Sequence, residues 1–279
     1  MSETVICQKK QEDLIKKLGY EPLISIIIPT YNESLNIVNL IDGINVAMKQ
    51  FGFYELVVVD DNSPDNTVGT IISAFDKEDR FKVFRIREKI GIRSHEYFLI
   101  YPTVNKQFYI KVIKRKEETG LISAIYEGFK SSIGEHLIVM DADFSHQPAI
   151  LTSLVNEIKN SETDLVIASR YIKGGKIIGW SSKRIFYSKF ATNLSKIIFR
   201  LKVKDPLSGF FIVKRNIVRT MEFNTSGFKM LLEILVKRRD VNIKEIPYTF
   251  IDRALGVSKL NSKVTIDFFK GLYILYKNQ

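Results

Sequence analysis

Short unbroken runs of branched apolar residues recur along the chain, each closed by a polar, turn-forming cluster. Leu23–Pro29 (LISIIIP), Glu55–Val59 (ELVVV), His136–Met140 and Asp164–Ala168 (DLVIA) have this form. Such runs suit parallel strands covered on both faces. Between them apolar positions return at helical spacing over Leu35–Phe51, Thr67–Phe75, Leu121–Ser131 and Ile150–Asn160. Strands alternating with helices at these intervals predict an α/β fold built on a doubly wound, mostly parallel sheet. Ligands of such sheets lie beyond the carboxyl ends of the strands. Chemistry is therefore expected at PTYNE (29–33), DDNSPD (60–65), DAD (141–143) and SRY (169–171). The segment 88–116 interrupts the alternation. Its HEYFLIYPTVNKQFYIKVIK reads as two strands joined by a turn at Pro102–Asn105, an inserted β-hairpin that extends or covers the sheet.

Charge changes the picture next. The 279 residues carry 42 Lys+Arg against 31 Asp+Glu, a formal net charge of +11. An anionic partner is implied, with nucleic acid, phosphorylated small molecules and an acidic membrane surface as the classes to separate. From Leu165 to Lys204 there is no Asp or Glu, while ten cations fall there, among them Arg170, Lys189, Lys196 and Lys204. Essentially all of the surplus lies in this segment. Within it Ile185, Phe186, Phe190, Leu194, Ile197, Ile198 and Leu201 recur at mostly three and four, which predicts a basic amphipathic helix over about 183–202. Its apolar stripe suits either a protein core or a bilayer interface. A second amphipathic helix is expected in 261–279, around Ile266–Tyr276, and residues 1–22 form an N-terminal extension to a domain over 23–260. The lone Cys7 leaves no internal disulfide, and no apolar run reaches the ~18 residues of a membrane span. A peripheral protein of a reducing compartment is expected.

Asp141 and Asp143 follow directly on a predicted buried strand. Residues i and i+2 of extended backbone project to the same side, so both carboxylates can face one cation. Hard oxygen ligands with positions left for water and phosphate suit Mg²⁺ or Mn²⁺ bound with a diphosphate. No glycine-rich phosphate loop follows the first strand, which argues against a nucleotide hydrolase or dehydrogenase. Arg184 has no acidic neighbour in its own stretch, which favours an anionic ligand for it. His146 is read as either orienting the 141–143 loop or capping it, Trp180 as an interface anchor or as packing, and Glu233 as an exposed helical carboxylate.

IIIPTYNE (26–33), VVVDDNSPDNT (57–67), MDADFSHQP (140–148), ASRY (168–171), DPLSGFF (205–211) and RALGVSKL (253–260) together resemble glycosyltransferase family 2 enzymes of GT-A fold. DADxSH, DPLSGFF and RxxGxSKL are similar to its polyprenyl-phosphate branch, the dolichol-phosphate mannosyltransferases. The resemblance implies inverting transfer of one sugar, mannose from GDP-mannose before a UDP-sugar, to dolichyl or polyprenyl phosphate at the cytoplasmic side of a membrane. It implies that Pro29, Tyr31, Glu33, Val58 and Asp60 hold the base and ribose, with Ala142 packing near the ribose. Asp141 and Asp143 would hold the metal; Ser145 stands where some members place a metal-binding Gln. Arg170, Arg253 and Lys259 would reach phosphates, with Asp143, Arg170 and Arg253 carrying catalysis, and Arg184 and Ser188 would grip the lipid phosphate. A membrane-anchoring partner and an anionic membrane surface are the further partners implied. The alternatives are a non-lipid acceptor or a non-enzymatic binding protein on the same fold.

Overall fold

The computed structural model describes residues 22–76, 81–90, 93–102, 107–116, 120–159, 162–224, 229–252 and 262–277. Strand β1 (Ile24–Thr30) pairs in parallel with β2 (Tyr54–Asp60), Ile24 opposite Tyr54 and Thr30 opposite Asp60. On the other side of β1 lies β6 (His136–Val139), also parallel, while β2 continues in parallel to β5 (Phe108–Lys114). At one edge β3 (Phe81–Ile90) and β4 (Arg93–Pro102) extend the sheet as an antiparallel pair. At the other, β9 (Phe211–Lys214) runs antiparallel between β6 and β7 (Leu165–Ser169), and β10 (Ile243–Pro247) lies parallel to β7. The nine described strands thus follow the order β10-β7-β9-β6-β1-β2-β5-β4-β3. A separate parallel pair joins β8 (Lys176–Ile178) to β11 (Thr249–Ile251).

Alternation along each strand sorts the apolar residues onto two faces. Ile24, Ile26, Ile28, Leu56 and Val58 face the helices α1 (Ile37–Met48), α2 (Thr67–Asp76) and α4 (Ile150–Ile158). Ile27, Val57, Val59 and Leu137 face α3 (Leu121–Ser131), α6 (Arg215–Val218) and α7 (Met230–Lys237). Burial on both faces explains why these strands read as continuous apolar runs. A Cβ at Gly128 of α3 would come within 2.4 Å of Ile27 Cγ2, so the helix lies too close on β1 for any larger residue. The long helix α5 (Ser182–Phe199) and the terminal α8 (Ser262–Lys277) pack together over Phe199, Leu207, Leu232, Val236, Phe268 and Leu272.

One row of the second face is polar. Ser25, Glu55 and Tyr109 are cross-strand neighbours on β1, β2 and β5, and all three are buried. Ser25 Oγ and Tyr109 OH donate to the Glu55 carboxylate, as does the Ile133 amide just beyond α3. Lys111 Nζ lies 3.7 Å from the same carboxylate and donates to the Ser131 carbonyl. A buried charge pair with every oxygen engaged ties the C-terminal end of α3 to three strands.

The structure extends one expectation and corrects two. The hairpin drawn from sequence is β4–β5, which pair antiparallel, but β5 is also a parallel strand of the sheet through β2, and a further antiparallel strand, β3, precedes the pair. Strand β3 (FKVFRIREKI) alternates apolar with charged residues, a pattern that signals an edge strand rather than a buried one. The stripe of α5 is not one face: Leu194 and Ile198 pack toward α8, whereas Phe186, Phe190 and Ile197 stand exposed. Glu233 is buried, accepting from the Asn224 amide and from Lys237 Nζ at 2.6 Å.

The loops after β1 and β2 are laced together. Backbone N–H groups of Asn32, Glu33 and Ser34 donate to Ser63 Oγ, Thr67 Oγ1 and Asp65 Oδ2 at 2.9, 3.0 and 2.9 Å. Asn32, Asn62 and Asn66 adopt positive φ of 61°, 55° and 62°, which Asn tolerates better than branched residues. Burial raises the Asp65 pKa, but hydrogen bonds from Thr67 and Ser34 outweigh it and hold the carboxyl below its usual range.

Two outcomes follow from these contacts. Glu55→Ala strands the Lys111 charge in the interior and is expected to cost about 3–5 kcal/mol in urea unfolding, with Glu55→Gln intermediate. Asp65→Ala removes two amide partners and should cost about 1–2 kcal/mol. Because the folded carboxyl is the more acidic one, this difference is present above the unfolded pKa of about 4 and fades as pH falls below it.

Candidate active site

Asp60 closes β2 with its carboxylate buried, accepting from Thr30 Oγ1 at 3.1 Å and the Ser63 amide at 2.9 Å. Beside it Asp61 is held by the fully buried Arg115 and by the Gly120 amide at 2.7 Å. Burial pushes the Asp61 carboxyl up, against the pull of Gly120 and Arg115. Across the laced loops Tyr31 is 42% exposed, while Pro29 and Glu33 are half-buried. The Glu33 carboxylate accepts from Asn36 Nδ2 at 2.9 Å. Of these residues Tyr31 presents an exposed ring, which suits stacking against a base or sugar ring. Val58 departs from its expected place: its side chain is fully buried in the core under the sheet and offers a ligand no surface. Ala142 belongs to the same core cluster.

The 141–143 loop is shaped from within. Phe144 takes a positive φ of 62°, and Ser145 donates to Asp143 Oδ1 through both its amide and its hydroxyl, at 3.1 and 2.6 Å. Ser145 thus orients Asp143. His146 is buried, stacked on Phe210 at 4.8 Å, and its Nδ1 accepts the Asp141 amide at 2.8 Å. An accepting Nδ1 carries no proton, and burial lowers the His146 pKa against the neighbouring aspartates. The ring is therefore neutral, with Nε2–H turned to Asp141 Oδ2 at 3.7 Å. A Cβ on Gly209 would lie 3.2 Å from the ring, so the SGF turn gives His146 its room. Burial removes a solvated reading of His146, and its bond to the Asp141 amide both caps and orients the loop. The Asp141 side chain remains 40% exposed.

An exposed Asp141 carboxylate beside a buried Asp143 held by Ser145 fits a hard divalent cation that shares its shell with a diphosphate. Among the described residues no group of three or more His, Cys, Asp or Glu side chains forms a closed cage.

Arg170 follows β7 and meets Asp205 edge to edge, Nε to Oδ2 and Nη2 to Oδ1, both at 2.8 Å, with its own amide on Oδ2 at 3.0 Å. The Asp205 side chain is fully buried. Burial opposes the Arg170 charge, but the Asp205 hydrogen bonds more than offset it, and its pKa is raised. The guanidinium expected to stand ready for a phosphate therefore has most of its fork engaged. Arg184 is likewise paired: Asp252, far along the sequence, meets its Nη1 at 2.8 Å, and Trp180 lies under its guanidinium at 4.1 Å. This corrects the expectation that it lacks an acidic partner. Ser188 Oγ accepts from Tyr171 OH at 2.8 Å. Trp180 meets Phe250 edge-on at 4.9 Å, and Phe250 reaches His146. Arg253 and Lys259 lie outside the described residues.

Sequence reasoning passed over Lys229. The residue is half-buried, but its ammonium end is desolvated. Burial and then Arg170 lower its pKa, while Asp141 and Asp205 pull it up. Its one signal was a lysine directly before the apolar helix MLLEILV. Asp205, hidden inside a motif string, and Glu245, which accepts the Lys204 and Asp205 amides at 2.8 and 3.1 Å, were passed over as well.

Comparison with known proteins gives this geometry its relatives. The profile described as "Glycosyl transferase family 2" matches residues 25–94 and 101–222. A dolichol-phosphate mannosyltransferase of Pyrococcus furiosus is 38% identical over 91% of this chain, which spans 64% of that protein's length. The Saccharomyces cerevisiae protein of the same name is 30% identical, covering 90% of this chain and 86% of its own. Among solved structures, Mycobacterium tuberculosis glucosyl-3-phosphoglycerate synthase, with Mn²⁺, UDP-glucose and phosphoglyceric acid, superposes with a TM-score of 0.63 at 16% identity. That match covers 92% of this chain and 80% of the other. The sheet order and the matched profile lead to one conclusion: the chain has the GT-A architecture and belongs to glycosyltransferase family 2.

Proposed function

We propose that this protein transfers one mannosyl group, with inversion, from GDP-mannose to the phosphate of dolichyl or another polyprenyl phosphate at a membrane surface. The observation that carries this reading is its 38% identity, over 91% of the chain, to a protein named for that activity. The residues present support it chemically. Asp141 and Asp143 would hold Mg²⁺ or Mn²⁺, which supplies charge neutralisation for a departing nucleoside diphosphate. The Lys229 amine lies close enough to Asp141 for the two to interact, although burial and Arg170 disfavour its charged form. Glu33 provides an acceptor for sugar hydroxyls or a base N–H and Tyr31 an exposed ring, while the fully buried Asp60 holds the loop beside them through Thr30 and Ser63.

The acceptor needs little activation. A phosphate monoester has its second pKa near 6, so it is largely a dianion at neutral pH and attacks without a general base. His146 has its Nδ1 committed to the Asp141 amide and serves to hold the loop. Arg184 would exchange Asp252 for the lipid phosphate, with Ser188 beside it. Among the described residues no helix is long and apolar enough to cross a membrane. The exposed Phe186, Tyr187 and Phe190 of α5 and Phe269, Tyr273 and Tyr276 of α8 suit an apolar face lying on a bilayer.

Purified protein incubated with Mg²⁺, a short polyprenyl phosphate and a panel including GDP-mannose and UDP-glucose should yield the mannosyl lipid; a glucosyl product instead overturns the donor. Asp143→Ala should lower turnover by about a thousandfold or more, and wild-type turnover by this variant would remove the metal assignment. Asp205→Asn leaves Arg170 without its counter-charge, so kcat/KM should fall at least about tenfold through misplacement, together with a lower melting temperature.

A further inference from the structure

The cations beside α5 are not spent on the protein. A groove of about 480 Å³ runs between α5 and the segment from Arg170 to Ile177, with Lys176, Lys189, Lys196 and Lys204 among its lining residues and no carboxylate. Among the described residues none of these four lysines has an acidic partner, whereas Arg170 and Arg184 both do. Thr192 lines the same groove, is 3% exposed, and its Oγ1 is buried without a hydrogen-bond partner. Leaving a buried hydroxyl unmet is costly, and four unpaired lysines in one hollow repel each other. Both costs fall when an anion occupies the groove.

The position argues for the source of that anion. On α5 the groove residues Lys189 and Lys196 lie one helical step from Phe190 and Ile197, which are 51% and 76% exposed. A lipid whose tails meet the aromatic side of α5 would place its phosphate in the groove. The groove differs from the Arg184 and Ser188 position, which are absent from its lining, and meets the candidate active site at Arg170. We propose that this groove is a phosphate site for an anionic bilayer phospholipid, one that docks the enzyme and is separate from the acceptor's own position. The assignment rests on the reading of the protein as a membrane-surface enzyme, but binding to vesicles is measured without turnover.

The test is co-sedimentation with phosphatidylcholine vesicles with and without phosphatidylglycerol. Wild-type protein should partition to the anionic vesicles only. One lysine at an anionic surface is worth about 1 kcal/mol, or about fivefold, so Lys189→Gln/Lys196→Gln should weaken partitioning roughly thirtyfold. Lys49→Gln/Lys82→Gln, equal in charge but on exposed positions elsewhere, should weaken it far less; equal losses would overturn a specific groove. Thr192→Val should bind less tightly while melting no lower than wild type; unchanged binding would overturn the role of the hydroxyl. In detergent with a short polyprenyl phosphate, the groove variants should transfer sugar at the wild-type rate. Loss of that transfer would assign the groove to the acceptor and overturn the bilayer source. A thermal shift with inorganic phosphate but no vesicle binding would make it a soluble-phosphate site and overturn the proposal equally. Absence of transfer from every donor, with vesicle binding intact, would defeat the proposed function and leave the groove standing.

Discussion

The buried pair of Arg170 and Asp205 is the constraint on which one side of the site depends. Three hydrogen bonds from one residue converge on a carboxylate with no exposure to water. The pair joins the end of β7 to the turn that leads into β9, and so fixes where the antiparallel strand enters a parallel sheet. Because isolated charges are intolerable in such surroundings, neither partner can move without the other. The aromatic residues around them inherit that rigidity: Trp180 and Phe250 lie within cation–π reach of Arg170, and Phe250 in turn touches His146. The 141–146 loop is thereby connected, through packed rings, to Arg184 at the start of α5.

The two halves of the site are built by different means. On the side of β1 and β2 the scaffolding works through backbone amides that lace two loops, beside the buried ion pair of Asp61 and Arg115. On the side of β7 and β9 it is ionic and aromatic. Under the proposed function the first would receive a nucleotide and the second a phosphate.

Much of this was legible from residues alone. The parallel strands and their helices were visible because burial on both faces forces continuous apolar runs, and the polar clusters after each strand marked the site. The β4–β5 hairpin was legible from its turn residues, whereas β3 and the parallel pairing of β5 with β2 were not, because pairing partners are not written in a single strand. Asp252 and Asp205 were invisible as partners because sequence distance hides contact. Lys229 was lost among 42 basic residues, since desolvation is a property of the fold. Val58 shows the opposite error, a resemblance assigning a ligand role to a side chain that the sheet has already consumed.

The lacing of the first two loops has a consequence for how such an enzyme changes over generations. The shape of the 32–34 turn is held through its own amides and the side chains of Ser63, Asp65 and Thr67. The Ser34 side chain adds a hydrogen bond to Asp65, whereas the exposed Tyr31 and Asn32 side chains take no part in those three bonds. Lineages can therefore vary these exposed positions while the frame stays put, without passing through unfolded intermediates.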